Sequence, residues 1–131
     1  MTSWRSLSRK SDFHKVYENG VKKVGRLLVV YLLPADDMAR AVVASKKIGN
    51  AVCRNRAKRL MREAFRLGDL GRPDHVMGIL KRQVSASGPS AAAGNRAEGL
   101  WVVLVARRRI LEASSREVRD ELDTLLRQLE T

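Results

Sequence analysis

One stretch of the chain carries cations at spacings that place them on a single side of a helix. The pattern predicts a helix from Asn50 to about Arg66, and six of its polar and basic side chains fall within an arc of roughly 140° at about 100° per residue. Those side chains are Arg54, Asn55, Lys58, Arg59, Arg62 and Arg66. The opposite side carries Cys53, Ala57, Leu60, Met61 and Ala64. We therefore expect a helix that packs on one side and presents a row of cations on the other.

This row of cations differs from an ordinary surface helix, because Glu63 is the only acidic residue along it. Surface helices usually mix signs and gain stability from i,i+4 pairs, whereas a row of one sign repels itself. Phosphates would relieve that repulsion, so nucleic acid is the expected ligand and a solvated face is the alternative. Lys46 and Lys47 add charge just before the helix, and backbone N–H groups near Asn50 are placed to hold a phosphate.

The overall charge also indicates a polyanionic partner. The 131 residues include 26 Lys and Arg against 14 Asp and Glu, which gives a net charge of +12. An anionic membrane is the rival partner, but neither end of the chain shows the basic amphipathic helix or lipidation motif that it usually requires.

Other classes of protein are not expected from this sequence. The longest apolar run, Leu27 to Leu33, is too short to span a bilayer, and Met1 to Asp12 lack the apolar run of a signal peptide. Because Cys53 is the only cysteine, neither an intramolecular disulfide nor a zinc cluster of cysteines can form. We expect a soluble cytoplasmic protein.

Helices and strands alternate around the basic helix. Ser8 or Ser11 is expected to cap a first helix that ends at Asn19-Gly20. A capping box, Ser114 to Glu117, opens the last helix. Four strands are expected, at Val21–Val24 (a short edge strand), Leu27–Leu33, Ala41–Ala44 and Leu100–Ala106. The apolar stripe of the last helix is Val118, Leu122, Leu125, Leu126 and Leu129.

These elements follow the order α-β-β-β-α-β-α. They predict one α+β domain over residues 1–131, a single-domain α-β sandwich with helices on a mostly buried sheet. His75 to Leu80 is ambiguous between a short strand and a loop. The Ser-, Ala-, Gly- and Pro-rich segment at about 83–99 is expected to be a flexible insertion within the domain.

A second candidate surface is aromatic. Phe13 and Tyr17 share one face of the first helix, and Tyr31 lies on the first strong strand. These rings suit either a core or a shallow cleft in which unpaired nucleotides stack, with Lys15 and Arg26 holding the RNA backbone. Both interpretations stay open from the residues alone.

The sequence offers no evident catalytic set. The two histidines, His14 and His75, have no partner that would make a base–nucleophile pair, and the acids Asp12 and Asp36-Asp37 fit caps and turns. A two-metal nuclease would need several converging carboxylates, which the sequence does not suggest.

The basic segment resembles the bacterial ribonuclease P protein family. The resemblance lies in Ser45–Val52, the Arg54-Asn55-Arg56 core known as the RNR motif, Lys58-Arg59 and Arg62–Phe65. Asp12–Tyr17 with Gly20, and Val102–Arg107, are similar to the family's first helix and last strand. The resemblance implies a left-handed β-α-β crossover formed by the basic helix, although general statistics favour a right-handed one.

The resemblance implies an RNA-binding subunit that assists a catalytic RNA in the endonucleolytic removal of the 5′ leader from precursor tRNA. Its partners would be the ribonuclease P RNA and precursor tRNA, with no membrane and no obligate protein partner. The protein would hold no catalytic residue, metal or stable cofactor, and Mg²⁺ would be required by the RNA. The rival classes are a ribosomal or assembly protein and a protein-only nuclease.

The resemblance also assigns residues to the two surfaces. The RNA-binding set is Lys46, Lys47, Asn50, Arg54, Asn55, Arg56, Lys58, Arg59, Arg62 and Arg66. The leader-binding positions that match the family are Phe13, Lys15, Tyr17 and Tyr31, and Arg26 is added as a backbone contact.

Overall fold

The computed structural model describes residues 4–71, 76–78 and 99–130. The strands are β1 (Arg5–Ser6), β2 (Val21–Val24), β3 (Leu28–Ala35), β4 (Ala39–Val43) and β5 (Gly99–Ala106). The helices are α1 (Lys10–Asn19), α2 (Ala51–Leu67) and α3 (Ser115–Arg127). Within the described ranges the strands form one sheet in the order β1-β4-β5-β3-β2.

The sheet separates two hydrophobic layers because side chains alternate along each strand. Leu28, Val30 and Leu32 of β3 are fully buried on the face that α2 and α3 cover. Tyr31 and Leu33 point to the other face, where α1 packs. The basic helix α2 and the helix α1, which carries Phe13 and Tyr17, therefore lie on opposite faces of the same sheet.

The pairing of the strands explains how α2 is held. β4 and β5 are parallel neighbours, and α2 lies between them in the chain. β3 pairs with β5 and with β2 in antiparallel register. The predicted β-α-β unit is confirmed, and its left hand stays a prediction of the resemblance.

The predicted order is confirmed from α1 onward, and the structure adds β1 before it. β1 pairs in parallel with β4, but two polar residues, Arg5 and Ser6, give no strand pattern in the sequence. The predicted cap of α1 is wrong: the helix begins at Lys10 after Arg9, whose side chain makes no capping hydrogen bond. Its end at Gly20 is confirmed.

The ends of the other elements differ from prediction by one or two residues. Pro34 lies inside β3 rather than ending it, and β5 begins at Gly99. The capping box of α3 is confirmed, with Ser114 Oγ accepting from the Glu117 N–H and the Glu117 carboxylate from the Ser114 N–H.

The sequence predicts a short strand or a loop for the segment His75 to Leu80, and both alternatives are wrong for residues 76–78, which are helical. Residues 83–98 of the predicted insertion lie outside the described residues. Among the helices that the structure describes, none is long and apolar enough to cross a membrane.

Candidate nucleic-acid interface

The face of α2 that turns away from the sheet is strongly basic. The helix buries Ala57, Leu60, Met61 and Ala64 against the core as predicted, and Phe65 as well, whereas Cys53 of the predicted packing side is only half-buried. Along Ala51–Leu67 the sequence places six Lys and Arg against one acid, whereas Ser115–Arg127 carries three against four. α2 therefore lacks the mixture of charge that the chain's own α3 has.

The predicted RNA-binding side chains of α2 differ in exposure. The exposed ones are Asn55, Arg56, Arg59, Arg62 and Arg66. Arg54 and Lys58 are half-buried. The Arg54 Nε is inaccessible and has no hydrogen-bond partner within the described part of the chain.

The amino-terminal end of α2 concentrates positive charge. Lys46 and Lys47 are exposed on a 3-10 turn, Lys46–Ile48, which the buried Ile48 anchors to the core. The first turn of α2 contains no acidic residue, so these cations add to the positive end of the helix dipole. Asn50 Oδ1 accepts from the Cys53 N–H at 3.0 Å, so this oxygen serves as the helix cap.

Three consecutive arginines extend this basic end, and sequence reasoning missed them. The carboxyl ends of β4 and β5 meet at one edge of the sheet because the strands are parallel. Exposed Arg107, Arg108 and Arg109 thus lie at the same edge as Lys47. Lys47, Arg107 and Arg108 line one open cavity of about 680 Å³. Their distance from the basic helix in sequence hid this proximity.

The three predicted aromatic side chains do come together on the opposite face. The Phe13 and Tyr17 ring centroids are 6.2 Å apart, and those of Tyr17 and Tyr31 are 4.8 Å apart at 66°. We call these three residues the aromatic cluster. Tyr17 is 41% exposed, so the cluster is open to solvent rather than a closed core. Burial of its phenol, and then the nearby Tyr31, raise the pKa of Tyr17.

The two predicted backbone contacts lie elsewhere. Lys15 Nζ is 5.7 Å from the centroid of Trp101, not over a ring of the aromatic cluster. Arg26 is exposed in the turn between β2 and β3, and no contact among the described residues joins its side chain to the cluster. Lys22, which sequence reasoning missed, places its Nζ 5.8 Å from the Tyr31 centroid.

The turn that carries Arg26 is held by Glu121 of α3. The Glu121 carboxylate accepts from the backbone N–H groups of Arg26, Leu27 and Leu28 at 2.7, 2.8 and 3.1 Å. Arg107 Nη1 donates to the carbonyl oxygen of Gly25 at 2.8 Å. The position of Arg26 thus depends on a residue near the other end of the chain.

The edge of the sheet formed by β1 and β4 lies between the two surfaces. A cavity of about 270 Å³ there is lined by Phe13, Arg40 and Arg62, among others. The Arg40 guanidinium lies 4.8 Å from the Phe65 ring centroid. Sequence reasoning missed Arg40, although alternation along β4 turns it toward α2.

The described residues also bear on metal binding. No three His, Cys, Asp or Glu side chains in residues 4–71, 76–78 and 99–130 come together as metal ligands. His14 is exposed on α1, and His75 lies outside the described residues.

The chain was compared with known proteins. The family model described as Ribonuclease P matches residues 1–130. A ribonuclease P protein component from Caldanaerobacter subterraneus subsp. tengcongensis is 32% identical over 123 residues, which cover 92% of this chain and 85% of that protein. A component from Clostridioides difficile is 43% identical over 65 residues, which cover 48% of this chain and only 57% of the relative.

Solved structures agree in fold. The RNase P protein from Thermotoga maritima superposes with a TM-score of 0.63 at 23% identity, covering 95% of this chain and 96% of that one. The Staphylococcus aureus RNase P protein gives a TM-score of 0.62 at 23% identity, and the match covers 94% of this chain and 93% of that one. A family match across residues 1–130, with a relative 32% identical over most of both chains, shows that this protein belongs to the ribonuclease P protein family.

Proposed function

We propose that the chain is the RNA-binding protein subunit of ribonuclease P, and that it assists a catalytic RNA in removing the 5′ leader from precursor tRNA. The observation that carries the proposal is the one-sided basic face of α2 in a member of this family. A helix that carries six cations against one acid favours binding to a densely charged backbone.

The two surfaces have different tasks in this proposal. The α2 face, with Lys46, Lys47 and the arginines that follow β5, binds the structured ribonuclease P RNA through its phosphates. The aromatic cluster binds the unpaired leader, because rings stack on any base and so tolerate many leader sequences. Lys22 supplies charge beside that cluster, and Lys15 supplies charge near Trp101 on the same face of the sheet.

The cutting step is assigned to the RNA. Phosphate oxygens are hard ligands of the kind that Mg²⁺ prefers, and we place the catalytic ions on the RNA subunit. The protein contributes affinity for substrate, and it offsets phosphate repulsion within the folded RNA. We place the complex in the cytoplasm, with no membrane and no obligate protein partner.

Reconstitution separates this proposal from its two rivals. Purified protein is titrated into a ribonuclease P RNA with precursor tRNA at low Mg²⁺, beside reactions that contain protein alone and RNA alone. We expect strong stimulation of the RNA and no cleavage by protein alone. Cleavage without RNA would identify a protein nuclease, whereas RNA binding without stimulation would favour a ribosomal or assembly protein.

A further inference from the structure

Trp101 lies on the same face of the sheet as the aromatic cluster. In β5 it is paired between Leu33 of β3 and Ala39 of β4, and its side chain is half-buried against the small core under α1. Tyr31 pairs with Val103, two residues along β5. Tyr31 and Trp101 are therefore diagonal neighbours on one face of the sheet. The backbone positions of such neighbours are about 7–8 Å apart, close enough for two large side chains to touch.

The Trp101 ring is fixed in orientation by a charged pair. Its indole N–H donates to Asp37 Oδ1 at 2.7 Å, and Arg5 Nε donates to the other oxygen of Asp37 at 2.8 Å. These contacts connect β1, the turn before β4, and β5. A ring held in one orientation loses little conformational entropy when a ligand stacks on it.

Two cations accompany this ring. The Arg5 guanidinium carbon lies 5.6 Å and Lys15 Nζ 5.7 Å from the Trp101 centroid, and both side chains are exposed. Covering the apolar core under α1 would need only the hydrophobic surface of the indole. A ring held in one orientation with two exposed cations beside it has the features that bind a nucleotide, since the base stacks on the ring and the cations contact its phosphate.

We infer that Trp101 is a separate stacking position for an unpaired nucleotide of RNA, with Arg5 and Lys15 as its phosphate contacts. The inference rests on the proposed function, because the nucleotide belongs to the same leader that the aromatic cluster binds. The leader then runs from the cluster across β3 to β5. Longer leaders reach Trp101, whereas the shortest ones contact the cluster alone.

The chain contains two tryptophans, which allows a direct test. Trp4 packs against Phe65 on the α2 side of the sheet, with ring centroids 4.8 Å apart. Trp4→Phe leaves Trp101 as the only indole, and Trp101→Leu leaves Trp4 while keeping an apolar side chain over the core. Thermal unfolding of both variants checks that each one folds.

The experiment uses the full chain bound to ribonuclease P RNA, with precursor tRNAs whose leaders increase in length. In the Trp4→Phe protein, we expect indole fluorescence to change only once the leader passes a threshold length. Trp101→Leu should weaken binding of long-leader precursors at least about fivefold, the factor that corresponds to about 1 kcal/mol of base stacking. Precursors with short leaders should bind equally well to complexes of the Trp101→Leu protein and of the unmodified protein.

Two results overturn the inference in distinguishable ways. If Tyr17→Ala weakens leader binding but the Trp101 fluorescence and the Trp101→Leu affinities show no dependence on leader length, Trp101 only covers the core and the proposed function stands. If leaders of every length leave the affinity of the unmodified complex unchanged, the leader-binding role fails and the inference fails with it.

Discussion

Phe13 and Arg62 line the same cavity, although Phe13 lies on α1 and Arg62 on α2, on opposite faces of the sheet. The cavity opens at the edge formed by β1 and β4, where the sheet ends. The aromatic cluster and the basic face are therefore adjacent around this edge. In the proposed function, an RNA chain bound on one surface would pass to the other around this edge.

Arg59 provides the simplest test of the basic face, because its side chain is exposed on α2. Arg59→Ala should weaken binding to ribonuclease P RNA and lower the slope of log K against log salt by about 0.7–0.9, the value for one phosphate contact. Filter binding across a salt series measures both quantities. Arg116→Ala is the matched control, since Arg116 is an exposed arginine of α3. Equal losses in the two variants would show that only net charge matters.

Tyr17 tests the aromatic cluster, since its ring touches Tyr31 and is still 41% exposed. Tyr17→Ala should raise the concentration of leader-bearing precursor needed for half-maximal cleavage by about 5-fold or more, from the loss of about 1–3 kcal/mol of stacking. Tyr17→Phe keeps the ring and should stay close to the unmodified protein. A similar loss with leaderless RNA would remove Tyr17 from leader binding.

Glu121 tests the coupling between α3 and the turn that carries Arg26. Glu121→Gln leaves one acceptor oxygen for three backbone N–H groups, and we expect the free energy of unfolding to fall by about 1–3 kcal/mol. Urea denaturation measures this change. Asp120→Asn, at an exposed neighbouring position of α3, should change it little. Unaltered stability in Glu121→Gln would mean that water replaces the lost contacts at no cost.

Asp37 predicts a pH dependence at Trp101. Hydrogen bonds from Arg5 and then from the Trp101 indole lower the pKa of Asp37. Because the pKa is lowered, the Asp37 carboxylate stays ionised and keeps both contacts at pH values at which a free aspartate is already protonated. The contacts are lost only as the pH falls through the lowered pKa. Indole fluorescence of the Trp4→Phe protein should therefore change with a midpoint below the ordinary pKa of an aspartate. The change should be absent in Asp37→Asn, and a midpoint above that value would contradict the assignment.

Much of the fold was predictable because its signals are local. Apolar runs identify β3 and β5, and the serine of the capping box opens α3 where the spacing predicts. β1 could not be found this way, since Arg5 and Ser6 form a strand only because β4 offers an unpaired edge. The cap of α1 was predicted wrongly because the helix begins at Lys10 after Arg9, which leaves Ser8 before the N-cap position and Ser11 inside the first turn.

The candidate site was predictable where one element carries it. The face of α2 follows from helical spacing, whereas the contact of Tyr17 on α1 with Tyr31 on β3 joins two elements, and the residues alone left a core and a cleft both open. Arg107 and Trp101 lie far from both in sequence. They reach the site only through the pairing of β5 with β3 and β4. Pairing partners are set by the tertiary fold, which a local pattern does not encode.

The most direct test of the central claim compares substrate affinity with and without the protein. Dissociation constants are measured for leader-bearing precursor and for mature tRNA, each with ribonuclease P RNA alone and with RNA plus protein, at constant salt and Mg²⁺. We predict that the protein tightens binding of the precursor much more than binding of mature tRNA. Equal tightening of both, or no change in either, would contradict the proposal that this chain binds the leader for a catalytic RNA.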